Sequence, residues 1–299
     1  MLHAQGTTFR VWAPNAAGVS VAGSFNEWSA DAHPLAHEAH GYWSVDVPGV
    51  KAGDTYKFVI HTHDGGRLWK RDPYARDMQG SVGNCIVTDP AFDWGDDDGY
   101  RSPSWDELVI YELHVGTFND HVEGAEPGTV EGVIQKLDYI KDLGFNCIEL
   151  MPTSEFAMSH GLGYNPAHIF AVEEAYGGPE GLKRLVKEAH ARGLAVILDV
   201  VYNHLGPEGN YLHAITGGRY FTDRHHTPWG DAIDYARRPV REFAIQNALH
   251  WAHEYHVDGL RMDATHAILD DSEIHLLQEL GNRVRESLPA DRRFVLIAE

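Results

Sequence analysis

Between Thr7 and about Asp89 the apolar residues come in short runs that alternate with polar ones: TTFRVWAP, GVSVAGSF, GYWSVDVP and DTYKFVI. Gly, Pro, Asn or Asp closes each run. A period of two places apolar side chains on one face of a strand, and turn residues at regular intervals fold successive strands back on one another. The spacing predicts a β-sandwich of immunoglobulin-like type over residues 1–102. The segment AFDWGDDDGYRSPSW (91–105) is acidic, punctuated by Gly and Pro, and has no periodicity, so it reads as a linker with the boundary near Pro103.

Past that point the pattern changes. Continuous apolar runs, LVIYELHV, FNCIELMP, LAVILDVV, VDGLRMDA and FVLIAE, suit strands buried on both faces. Between them lie segments of helical period: TVEGVIQKLDYIKDLG, GPEGLKRLVKEAHARGL, RPVREFAIQNALHWAHEYH and DDSEIHLLQELGNRVRESL. In the second of these, Leu182, Leu185, Val186 and Ala189 form an i, i+3, i+4, i+7 stripe that can pack on a sheet. Repeated βα units give a parallel sheet or barrel. A closed (β/α)8 TIM barrel needs eight strands and usually about 250 residues. Five strands are counted here, so an incomplete barrel is expected over residues 103–299, with a loop insert at about 205–235.

Composition narrows the partners. The chain has 299 residues, with 24 Lys+Arg against 44 Asp+Glu, a formal net charge of −20. Such a surface repels nucleic-acid backbones, and neither a P-loop nor a dinucleotide fingerprint is found. Cys85 and Cys147 are too few for a disulfide framework and are not spaced as a metal knuckle. No signal peptide and no run of eighteen apolar residues is present, so a cytoplasmic protein without membrane contact is expected. His225 and His226 are adjacent, and His61 alternates with His63, but neither arrangement brings a convergent third ligand. No metal and no cofactor is expected.

In an α/β barrel the reactive side chains stand at the C-terminal ends of strands. LAVILDVVYNHLGPEG places Asp199 within a strand and Asn203 and His204 just beyond it. A carboxylate buried there is costly unless paired or hydrogen-bonded. VDGLRMDATH places Arg261 and Asp263 two residues apart, on one face of a strand. The pair reads either as a structural ion pair or as an ionised, oriented nucleophile. FVLIAE ends in Glu299. Two carboxyl groups able to flank a bond, with His, Asn and Arg to orient hydroxyls, are what glycoside chemistry uses.

The segments DVVYNH (199–204), GLRMDATH (259–266) and the apolar strand ending in Glu299 resemble, in order and spacing, the first three signature regions of glycoside hydrolase family 13, the α-amylase superfamily. GTTFRVWAPNAAGVSVAGSFNEW is similar to the carbohydrate-binding-module-like sandwich that precedes the barrel in branching and debranching members, and VIYELHVGTF to their first barrel strand. The resemblance implies Asp263 as nucleophile, Glu299 as general acid/base and Arg261 as support for Asp263. It further implies that Asp199, Asn203, His204 and His266 face substrate and that Tyr164, in GLGYNPAH, supplies a ring for a sugar to stack on. Calcium sits near the residue equivalent to Asn203 in some members, but the insert here lacks an obvious set of oxygen ligands.

LGPEGNYL, YFTDRHHTPWGDAI and GLRMDATHAILDDSE are similar to the malto-oligosyltrehalose trehalohydrolase branch, which cleaves the α-1,4 bond next to terminal trehalose. WKRDPYAR, SVGN and YNPAH resemble the glucan branching branch instead. An α-glucan or malto-oligosaccharide substrate is the expected partner in either case; nothing bears on oligomeric state. Trp12, Trp28, Trp43 and Trp69 allow a third reading, a glucan-binding protein without catalysis, although sandwich tryptophans also fill cores. The family's fourth region, a His-Asp pair, has no counterpart, and Glu299 as the last residue is expected to be held loosely. A truncated chain, inactive or nearly so on its own, is the resulting expectation.

Overall fold

A computed structural model describes residues 1–119, 127–158 and 160–299. The four alternating runs form the strands Gly6–Trp12, Gly18–Gly23, Tyr42–Pro48 and Thr55–His61. The first and third pair antiparallel in one sheet and the second and fourth in another, each with shorter strands beside them. Side chains at alternate positions, Phe9 and Val11 from one sheet and Val21 and Phe58 from the other, close a dry core between them.

Five parallel strands follow, which we number β1 (Ile110–Leu113), β2 (Cys147–Leu150), β3 (Ala195–Val200), β4 (Gly259–Met262) and β5 (Val295–Ala298). They lie side by side in chain order and correspond to the five apolar runs. Leu113, Leu150, Leu198, Leu260 and Leu296 form one face, which packs on the helices. Ile110, Cys147, Ala195, Ile197, Val295 and Ile297 gather on the other. Helices α1 (Gly178–Ala191), α2 (Arg238–Glu254) and α3 (Leu276–Ser287) cover the first face. All four residues of the α1 stripe are fully buried.

Four local features differ from expectation. TVEGVIQKLDYIKDLG is two short helices, Val130–Ile134 and Leu137–Asp142, because Lys136 leaves the helical conformation at ψ 2°. The insert is not irregular throughout: it contains the helix Leu212–Thr216 and a hairpin, Phe221–Thr227 with Gly230–Ile233. YNPAHIFAV also carries an unforeseen strand, Pro166–Val172, paired with Ser154–Phe156. The segment 91–105, read as a linker, is anchored rather than free. Trp94 stacks on His256 and Tyr100 on His190, each 3.9 Å between ring centroids.

Candidate active site

Register assembles the site. Asp199 on β3 is the direct partner of Arg261 on β4, and Arg261 of Ile297 on β5. With a side-chain period of two, the inward columns 195–197–199, 259–261–263 and 295–297–299 all end in polar residues at the same rim. Asp199, Arg261, Asp263 and Glu299 are those ends.

The Arg261 guanidinium is their common partner. Its Nη1 lies 2.9 Å from Asp199 Oδ2 and 3.0 Å from Asp263 Oδ1, and its Nη2 lies 3.3 Å from Glu299 Oε2. Asp199 Oδ2 also accepts from the Tyr164 hydroxyl at 2.7 Å. Asn203 Nδ2 donates to Asp263 Oδ2 at 3.1 Å, and the Asn203 oxygen lies 2.8 Å from His204 Nδ1. Seven of the eight residues singled out in the sequence therefore belong to one set joined by hydrogen bonds and ion pairs. His266 does not: it is exposed, in the turn Thr265–Ala267 just past Asp263.

Burial divides the carboxyl groups. The Asp199 side chain is 1% exposed and its Oδ1 is buried without a hydrogen-bond partner among the described residues. Burial pushes its carboxyl up to about 7 against the pull of Tyr164 and Arg261. The Tyr164 hydroxyl is itself raised by burial and then by its bond to Asp199. Burial lowers His204, which favours the neutral imidazole beside Asp263. Glu299 is 51% exposed and is held by two backbone contacts. Its Oε2 accepts from the Ala264 amide at 2.7 Å, and its own amide donates to the Met262 carbonyl at 3.1 Å. Ala264 reaches that carboxyl from a left-handed conformation, φ 40°, rarely taken by a residue with a Cβ and a place where backbone strain concentrates at functional sites.

Sequence reasoning missed Trp229. Its indole lies parallel to the His204 imidazole, 4.3 Å between centroids and 9° between planes, at the turn of the insert hairpin. The signal was Pro-Trp-Gly between two polar strands, a turn that lifts one large aromatic to a tip. The paired histidines are engaged one by one, His225 with Asp271 at 2.7 Å and His226 with Asp231 at 3.1 Å. Among the described residues no cluster of three or more His, Cys, Asp or Glu is arranged to hold a metal ion.

Residues 91–229 match the catalytic domain of alpha amylase, and residues 1–75 match carbohydrate-binding module 48, the isoamylase N-terminal domain. Malto-oligosyltrehalose trehalohydrolase of Saccharolobus solfataricus is 39% identical over 95% of this chain and 48% of its own length. The 1,4-alpha-glucan branching enzyme GlgB of Burkholderia thailandensis is 37% identical over 89% of this chain and 34% of its own. Among solved structures, a putative alpha amylase from Salmonella typhimurium superimposes with a TM-score of 0.89 at 35% identity, covering all of this chain and 48% of that one. Pullulanase from Paenibacillus barengoltzii with maltotetraose gives 0.85 at 26%, covering all of this chain and 52% of that one. The chain thus spans about half the length of the trehalohydrolases it matches. It carries a module of the CBM48 type followed by an α-amylase catalytic domain of the kind found in glycoside hydrolase family 13.

Proposed function

We propose that residues 1–102 and 103–299 are the glucan-facing module and the first part of the catalytic barrel of a retaining α-glucan hydrolase. The preferred reaction is hydrolysis of the α-1,4 bond next to a terminal trehalose unit. The observation that carries this reading is the Arg261 guanidinium holding Asp263 and Glu299 at one rim. Asp263, fixed by Arg261 and Asn203, attacks the anomeric carbon as that carbon parts from the glycosidic oxygen. Glu299 gives the oxygen its proton, then deprotonates the water that releases the sugar. Glu299 Oε2 accepts from the Ala264 amide and pairs with Arg261, so an arriving glycosidic oxygen must draw the carboxyl away from them. Asp199, His204, Tyr164 and exposed His266 face the sugar in this reading. The net charge of −20 argues against nucleic acid as a partner, and two buried free thiols, Cys85 and Cys147, favour a cytoplasmic setting.

The likeness to trehalohydrolases, several of which match at 38–41% identity, favours hydrolysis over branching. A chimera in which residues 1–299 replace the matching half of the Saccharolobus relative tests the choice. Release of trehalose from malto-oligosyltrehalose supports it; new α-1,6 linkages in amylose without trehalose assign branching instead.

A second reading, glucan binding by the sandwich, rests on two of its four tryptophans. Trp12 and Trp43 donate their indole N–H groups to the His40 and Ala13 carbonyls and serve packing. Trp28 and Trp69 lie 6.5 Å apart, with Trp69 42% exposed. Retarded migration of the chain in glycogen gels, lost in Trp69→Ala, supports this reading; unchanged migration of both removes it.

A further inference from the structure

Three sequence segments of which the catalytic reading uses only Tyr164, WKRDPYAR (69–76), SVGN (81–84) and YNPAH (164–168), meet at one place. Arg71 is 3% exposed and makes no ion pair among the described residues. Its Nη1 donates to the Ser81 carbonyl and its Nη2 to the Gly209 carbonyl, and the Tyr211 ring lies 5.0 Å from its guanidinium carbon. A buried guanidinium satisfied by carbonyls keeps most of its desolvation cost, so energy alone is a poor reason for it. What an arginine offers there is a rigid fork able to hold two separate chain segments at once.

The segments it holds lead to the site. Gly209 lies five residues beyond His204 in the loop that follows β3, and that loop is also fixed by the Gly206 amide, which donates to the Pro166 carbonyl at 2.9 Å. Ser81, the other end of the fork, accepts from the Met158 amide through its Oγ at 3.3 Å, in the loop leading to Tyr164. Gly209 has φ +78°, and a Cβ there would stand 2.7 Å from the Ala167 Cβ and 3.4 Å from Arg71 Nη2, so the close approach requires glycine. The other arginine of the same motif does something different. Arg76 grips Glu254 on α2 with bonds of 2.6–3.0 Å and hydrogen-bonds neither loop among the described residues.

We infer that Arg71 is a positioning residue, through which the N-terminal module sets the two loops carrying Tyr164 and the Asn203–His204 pair. Its consequence for sugar affinity rests on the function proposed above; its effect on the loops does not. The test compares the 299-residue chain with Arg71→Ala, Arg71→Lys and Arg76→Ala by hydrogen exchange, maltohexaose calorimetry and Tm. Arg71→Met, which keeps the buried stem, replaces Arg71→Ala if that variant does not fold. Arg71→Ala is expected to speed exchange across residues 203–212 and to weaken maltohexaose binding roughly tenfold. Arg71→Lys should recover part of both, whereas Arg76→Ala should lower Tm and leave both unchanged. Unaltered exchange in Arg71→Ala, or the same local change in Arg76→Ala, overturns the inference. Absence of maltohexaose binding by the parent chain, with the exchange pattern as expected, would count against the proposed function and leave the positioning role standing.

Discussion

Arg261 Nη1 lies 2.9 Å from Asp199 Oδ2, yet this close cation does not keep Asp199 at an ordinary carboxylate acidity. Burial outweighs it and lifts the carboxyl to about 7. The sign follows directly. Between about pH 4 and pH 7 the unfolded chain releases this proton while the folded chain retains it, so stability falls as pH rises through that window. Buried Glu155 and Glu173, lifted by burial to about 8 and about 6, act in the same direction. The contribution of Asp199 is therefore read as a difference. The chemical stability of Asp199→Asn, measured in urea from pH 4 to 8, should fall less with rising pH than that of the parent. Parallel pH profiles would show that Asp199 ionises alike in both states.

Asp263→Asn keeps the shape of the residue, and its amide oxygen still accepts from Arg261. It removes the negative charge that attacks carbon. In the chimera, turnover should drop by roughly 10⁴-fold or more while Tm stays within a few degrees of the parent. Retained turnover would remove Asp263 as the nucleophile.

Most of this site was legible before any coordinates, for a reason visible in its geometry. Asp199, Arg261, Asp263 and Glu299 sit on strands whose apolar runs are distinctive, and a period of two then fixes which residues share the inner face. The sandwich strands were legible for the same reason. Contacts made by chain without periodicity were not. Trp229 reaches His204 from a hairpin whose register shifts between Thr222 and His226, and whose strands are mostly polar. The anchored course of 91–105 depends on partners more than ninety positions away in the sequence, Asp97 with His190 and His256. Composition identifies such a segment as polar and irregular but does not say what it touches.

The hairpin makes its own prediction. Trp229 is 47% exposed, so one indole face rests on His204 while much of the ring remains open beside the proposed sugar site. His225 ties the same hairpin to Asp271, beyond Asp263. Stacked aromatic pairs contribute about 0.5–1.5 kcal/mol, so Trp229→Ala should weaken maltohexaose binding about threefold to tenfold. Trp229→Phe should restore part of the loss. Calorimetry reads both values, and unchanged affinity in Trp229→Ala would place the indole outside the sugar's path.

The last prediction concerns the face away from the acid pair. His190 on α1 lies between two carboxylates, with Nδ1 2.5 Å from Asp97 Oδ1 and Nε2 2.9 Å from Asp258 Oδ2. Burial lowers its pKa, but Asp258 and Asp97 overcome that pull and hold the imidazolium to about 9. Asp97, which burial alone would raise, is held well below the usual carboxylate range by His190 and His256. A histidine whose pKa rises on folding contributes its full stabilisation below about pH 6.5 and loses it as pH climbs through about 9. The loss is on the order of 3 kcal/mol. His190→Gln leaves buried Asp97 and Asp258 without their shared cation, and such a break costs about 3–5 kcal/mol. Urea denaturation at pH 7 should therefore show a large deficit for the variant, shrinking by pH 10 as the parent loses its own imidazolium. An equal deficit at both pH values would mean that shape, not charge, holds residues 91–105 against the barrel.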